Sequence, residues 1–154
     1  MRPVRVWFVL LVASMACGVW VTSAHADRAY HTAHLALAPV GSAPLRSGFV
    51  ENIHANSPKV YAHEIYQVNG AEPNTSYQVV LSIWTTNTSC LGEPTLELPT
   101  AVLTTNAVGN GLADVFFTPE DADGLRGSTV SAVWTLSSGA TATYATECEV
   151  ITLD

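Results

Sequence analysis

Basic charge is nearly absent from this chain. Lysine occurs once, at Lys59, and the 154 residues carry 6 Lys+Arg against 13 Asp+Glu. No basic run is long enough to neutralise a row of phosphates, which argues against nucleic-acid binding. Charge of either sign is scarce, at 12% of residues beside 48% hydrophobic ones. A disordered, charge-rich chain is thereby excluded, because this much apolar surface can bury a core. No apolar run reaches the ~20 residues that a spanning helix needs. No stretch sustains the 3.6-residue spacing of an amphipathic helix. Gly-x-Ser-x-Gly, Cys-x-x-Cys and a phosphate-binding glycine loop are all missing.

What is present begins with an address. Met1-Arg2-Pro3-Val4-Arg5 is cationic, and residues 6–12 contain no polar side chain. Small and apolar residues continue to Val21, and Ala24-His25-Ala26 follows. These are the parts of a secretory signal peptide: a cationic head, an apolar middle and a small-x-small end. Cleavage is expected between Ala26 and Asp27. Residues 1–26 are then the leader and residues 27–154 a single domain, with no membrane span after cleavage. The mature part holds four basic and thirteen acidic residues, a net charge of −9. Such a surface keeps a secreted protein soluble and repels anionic polymers. Cys17, after Ser14-Met15-Ala16, weakly resembles a bacterial lipoprotein box, so a lipid-anchored envelope protein is an alternative.

Cys17 leaves with the leader. Cys90 and Cys148 remain, an even count in an exported chain, and a Cys90–Cys148 disulfide is the expected pairing. On the chain-entropy model a loop of nearly sixty residues gives roughly 4 kcal/mol of stabilisation. Neither cysteine lies in a redox or metal-binding Cys-x-x-Cys, so the bridge reads as structural.

Period-two alternation dominates the mature chain. Tyr77, Val79, Leu81 and Ile83 share one strand face; Val130, Ala132, Trp134 and Leu136 share another. Ala142, Tyr144, Thr146, Cys148 and Val150 do so near the C-terminus. Residues 31–37, 48–54, 60–68, 98–104 and 112–117 are further strands. Turn signals such as Asn56-Ser57-Pro58, Asn69-Gly70 and Gly109-Asn110-Gly111 separate them. Residues 103–112 read as a hairpin around 106–110, and 136–141 as a tighter one. Thr118 with Pro119 and Gly124 marks one helical turn, whose acids Glu120, Asp121 and Asp123 suit its dipole better than a calcium loop. About seven or eight short strands imply an all-β, two-sheet antiparallel sandwich.

Pro73-Asn74-Thr75-Ser76-Tyr77-Gln78-Val79 resembles the Pro-x-Thr-x-Tyr-x-Val turn-and-strand of fibronectin type III and related immunoglobulin-like domains. In those domains the tyrosine forms a corner, its hydroxyl bonding back to upstream backbone. The resemblance assigns that role to Tyr77. The mature chain as a whole also resembles small secreted actinobacterial proteins. They share a Pro-Asn-Thr-x-Tyr, two spaced cysteines and a Thr-Thr-Asn-Ala-x-Gly-Asn-Gly turn, here residues 104–111. The likeness implies a fold and a compartment and brings no activity.

His31, His34, His54 and His63 are the residues with chemistry to offer. Together they have the ligand chemistry for Zn or Cu. His31 and His34 point to opposite faces of one strand. His54 and His63 flank Asn56-Ser57-Pro58 and could face each other across a hairpin. The plainer reading makes all four solvent-facing residues of edge strands. Short turns leave little loop length for a catalytic cleft. Trp84 falls on the face opposite Tyr77 and Leu81, either as an exposed binding patch or under a cover. The expectation is a secreted or cell-surface sandwich, immunoglobulin-like, acting as a non-catalytic binding or structural module without cofactor. Its partner would be another extracellular protein or a cell-envelope component. A small metalloprotein or enzyme using the four histidines is the alternative.

Overall fold

A computed structural model describes residues 31–153, except 56–58 and 87. The expected leader, the Ala26–Asp27 cleavage point and Cys17 lie outside the described residues. Ten strands follow in order: β1 (His31–Ala36), β2 (Ala38–Pro39), β3 (Ser47–His54), β4 (Ala62–Asn69) and β5 (Ser76–Trp84). Then come β6 (Leu96–Thr104), β7 (Gly111–Phe117), β8 (Thr129–Ser137), β9 (Ala142–Ala145) and β10 (Glu149–Thr152). A single 3₁₀ turn, Pro119–Ala122, lies between β7 and β8. Its Thr118 donates from backbone N and from hydroxyl to the Asp121 carboxylate, at 2.7 and 2.9 Å.

The strands form two antiparallel sheets packed face to face, so the fold is an all-β sandwich. One sheet runs β1-β3-β4-β7; the other runs β2-β9-β8-β5-β6, with β10 also paired to β8. Alternation explains the layers. In β4 the inward residues Ala62, Glu64, Tyr66 and Val68 are buried, and those between them are half-buried. Trp134, Tyr66, Tyr77 and Tyr144 are the largest fully buried side chains, and they fill the space between the sheets. Aromatic rings of this size supply much of a core's buried area.

Two sequence expectations need correction. The turn at residues 106–110 does not close a hairpin, because β6 and β7 belong to different sheets. Asn106 still closes the turn, its backbone N donating to the Asn110 carbonyl at 2.9 Å. The flanking chain is claimed by different neighbours: Thr105 N donates to Thr75 O, and Ala71 N donates to Gly109 O, both at 2.9 Å. Gly109 has φ +76°, and a Cβ there would sit 2.0 Å from the Ala71 carbonyl oxygen. Only glycine lets the two backbones meet that closely.

The stretch 142–150 is also not one strand. Thr146 N donates to Trp134 O, while Glu149 pairs with Ala132. Three residues on one side advance against two on the other, which is a bulge, and it separates β9 from β10. Together with the two-residue β2, this split raises the strand number above the seven or eight expected.

The bulge is where Cys148 sits. It is bonded to Cys90, with 5.8 Å between the Cα atoms and a separation of 58 residues. Because β8 lies between β5 and β10, the bridge staples the loop after β5 to the strand on β8's other side. That loop covers Trp84, which is 7% exposed and donates from Nε1 to the Gly92 carbonyl at 3.2 Å. No exposed tryptophan patch forms there. Tyr77 is fully buried, its hydroxyl 3.5 Å from that of Tyr144. The bond to an upstream carbonyl is made by Tyr144, which donates to Pro44 O at 2.7 Å.

Candidate functional site

The β3–β4 register decides the histidines. His54 stands opposite Ala62, and His63 stands opposite Ile53. Directly opposed residues share a face, so one residue of offset puts the two rings on opposite sides of the sheet. They do not face each other across the hairpin. His54 points inward and is 6% exposed, its ring edge-on to Tyr61 with centroids 5.4 Å apart. It is neither on an edge strand nor facing solvent. His63 points outward, stacks on Phe116 with centroids 4.0 Å apart, and places Nε2 3.1 Å from Asp114 Oδ2. His34 is also outward, with Nδ1 2.6 Å from Glu51 Oε2. His31 stands opposite His54 at the end of the β1–β3 ladder, and its side chain lies outside the described residues. Among the described residues, no group of three or more His, Cys, Asp or Glu is placed to hold a metal ion.

A different polar group lies inside the sandwich. Glu64, on the inward face of β4, is 2% exposed. Its Oε2 accepts from Trp134 Nε1 at 2.9 Å and from the Tyr66 hydroxyl. Trp134 comes from β8 in the other sheet, so this carboxyl ties the two layers together. The Tyr66 hydroxyl also bonds the Thr100 hydroxyl at 2.8 Å. Thr100 reaches it because the β5–β6 register slips there: Val79 faces Ala101, and Val80 faces Pro99. The unpaired residue of the bulge is turned into the core, and the proline beside it is tolerated because β6 is an edge strand.

Removal from water dominates the electrostatics. Burial pushes the Glu64 carboxyl up from 4.5 to about 7, and its bonds to Tyr66 and Trp134 only partly oppose this. The Tyr66 phenol is driven upward too, first by burial and then by the adjacent Glu64 charge. Near neutral pH the carboxyl therefore exists partly as an uncharged acid.

Beside Glu64 the layers leave a cavity of about 50 Å³. Leu81, Ile83, Leu98, Phe117, Leu125 and Leu153 form much of its wall. Its polar lining is Glu64, Asn52, His54, Tyr61 and Asp121. Asn52 stands opposite Glu64 in the ladder and is 3% exposed, and its buried Oδ1 has no hydrogen-bond partner among the described residues. The Arg126 guanidinium lies over the Tyr61 ring, 5.1 Å from its centroid. A second space of about 220 Å³ adjoins Asn52 and His54 and is bounded by Thr32, Ala33, Ile151 and Thr152. It lies at the seam between the sheets, where β1 and β10 each have one strand partner among the described residues. The opening is built from sheet edges, and the short turns counted against a cleft do not enter into it.

None of Glu64, Asn52, Tyr66, Trp134 or Thr100 was singled out in the sequence as a site residue. A signal existed for two of them. The parity of β4 puts Glu64 on the same face as Tyr66 and Val68, and that of β3 puts Asn52 between Val50 and His54. A charged or amide residue in an inward column is the informative exception to burial rules. The sequence matches no protein-family model and no curated protein, and the fold matches no solved structure.

Proposed function

We propose that the protein is an exported sandwich of immunoglobulin-like kind that acts outside the cytosol, or in the cell envelope, as a binding or structural module without catalysis. The observation that carries this reading is the Cys90–Cys148 bridge. A disulfide across 58 residues persists in an oxidising compartment and is rare in a reducing one. The leader-like residues 1–26 and the acidic surface agree with export. Among the described residues no helix is long and apolar enough to cross a membrane.

The topology supports the immunoglobulin-like part. β4 pairs with β7 in one sheet, while their successors β5 and β8 pair in the other. That is the relation of strands B and E to C and F in an immunoglobulin domain. A binding role draws support from the outward face of β7, where Leu112 and Phe116 are 67% and 57% exposed. They flank Asp114 on that face, and exposed apolar side chains rimmed by polar ones are a common mark of contact surfaces.

Expression of the full chain in an exporting bacterial host tests the reading. The released protein is expected to begin at Asp27 and to weigh two hydrogens less than its dithiol form. A retained leader, or two free thiols, would overturn it. A photoreactive aromatic at position 116 is expected to crosslink an extracellular or envelope protein; no crosslink would remove the binding role from this face.

A further inference from the structure

The cavity beside Glu64 and the seam outside it share Asn52, His54 and Ile151 as lining. The inner space, about 50 Å³, is several times the ~10–15 Å³ that a cavity needs to hold one water. It suits a terminal CH2–OH. The outer space, about 220 Å³, has the volume for a short chain lying between Thr32 and Ala33 of β1 and Ile151 and Thr152 of β10. The inner wall is mostly aliphatic and aromatic, whereas the outer space is bounded by Thr32, Asn52, His54 and Thr152 as well as by Ala33 and Ile151. The exception that selects is Asn52 Oδ1, a buried acceptor with no hydrogen-bond partner among the described residues. A buried acceptor left alone costs on the order of 1–3 kcal/mol, so a guest that brings a donor is favoured.

Charge narrows the class. Glu64 and Asp121 both line the inner space, so a carboxylate guest meets like charge. An ammonium would meet opposite charge there, but it must give up its water in a pocket walled largely by apolar side chains, which costs more than burying a hydroxyl. We infer that the β1–β10 seam is the mouth of a small-molecule site for a slender, neutral aliphatic alcohol, with its hydroxyl donated to Asn52 Oδ1 and its chain lying in the groove. The site requires neither export nor a protein partner, so its failure and that of the proposed function are separate results.

The test is an NMR titration of the purified protein with 1-hexanol, 1-methoxypentane, hexylamine and hexanoate. The ether has the alcohol's length and lacks its donor. The expected result is a saturable shift of the Asn52 side-chain amide and of the Trp134 Nε1–H with hexanol. Binding of the ether should be at least tenfold weaker, and the two charged probes should bind more weakly than hexanol. Asn52→Leu should erase the preference for alcohol over ether. Thr152→Trp, on the exposed wall of the groove, should block all binding while leaving the core signals in place, and it stands in if Asn52→Leu does not fold. Equal binding of ether and alcohol, tighter binding of hexylamine or hexanoate, or no saturable shift with any probe would overturn the assignment.

Discussion

Glu64 makes this sandwich lose stability as the pH rises. In the unfolded chain its carboxyl titrates near 4.5, and in the fold it titrates near 7, because burial disfavours the charged form. Between those values the folded protein holds a proton that the unfolded chain has released. Stability contributed by this proton is complete below pH 4.5, falls through the interval, and is gone above about pH 7. A difference near 2.5 units, at about 1.4 kcal/mol each, amounts to roughly 3 kcal/mol. The direction is opposite to that of an ordinary salt-bridged carboxylate.

The groups around Glu64 are Tyr66 on its own strand, Trp134 on β8 and Asn52 opposite on β3. His54, Tyr61 and Asp121 line the same cavity. Other titrating residues cancel when wild type is compared with Glu64→Gln at each pH. Urea unfolding of both proteins from pH 4 to 8.5 measures the effect. The stability of wild type minus that of Glu64→Gln should drop by roughly 3 kcal/mol between pH 4.5 and 7.5, a relative fall of about 6–12 °C in Tm for a domain of this size. A difference that stays flat, or that grows with pH, would show that water or the two hydrogen bonds hold the carboxylate ionised. The account of this core would then be wrong.

Three further outcomes follow from the packing. Cys90→Ala and Cys148→Ala should each lower stability by about 4 kcal/mol and to the same extent, since they remove one bridge closing a 58-residue loop; differential scanning calorimetry checks both, and unequal losses would mean that one cysteine acts apart from the bond. Gly109→Ala should cost roughly 2–4 kcal/mol in urea unfolding, because it adds a positive-φ penalty to a Cβ placed 2.0 Å from the Ala71 oxygen; a loss below that of a surface substitution would mean that the turn relaxes freely. Thr100→Val keeps the shape of the bulge and removes the hydroxyl from Tyr66; about 1–2 kcal/mol should be lost. Hydrogen exchange at Tyr66 and Val68 should rise with it, and unchanged exchange would separate Thr100 from the core network.

Legibility from sequence varied with the range of the interaction. Where apolar and polar residues alternate, as in Val130-Ser131-Ala132-Val133-Trp134, the strand and its inward face were readable, because a pleated chain turns successive side chains to opposite sides. The bridge was readable because only two cysteines follow the leader-like segment. The mistaken hairpin at residues 103–112 shows the limit: a tight turn between two good strands does not say whether they pair or part. The histidines show it again, since an offset of one residue in the β3–β4 register sent His54 inward and His63 outward.

The chain's own order of residues therefore determined which segments are strands, which side of each is apolar, and which two cysteines fall within the pleated part. These follow from steric and solvation preferences acting over a few neighbouring residues. The tertiary structure alone decided that Glu64 meets Trp134 across the layers, that a bulge aims Thr100 at Tyr66, and that β1 and β10 border an opening onto Asn52. Each of these depends on register and on which strand lies beside which. Such choices are set by the packing of two whole sheets, and no local stretch of sequence encodes them.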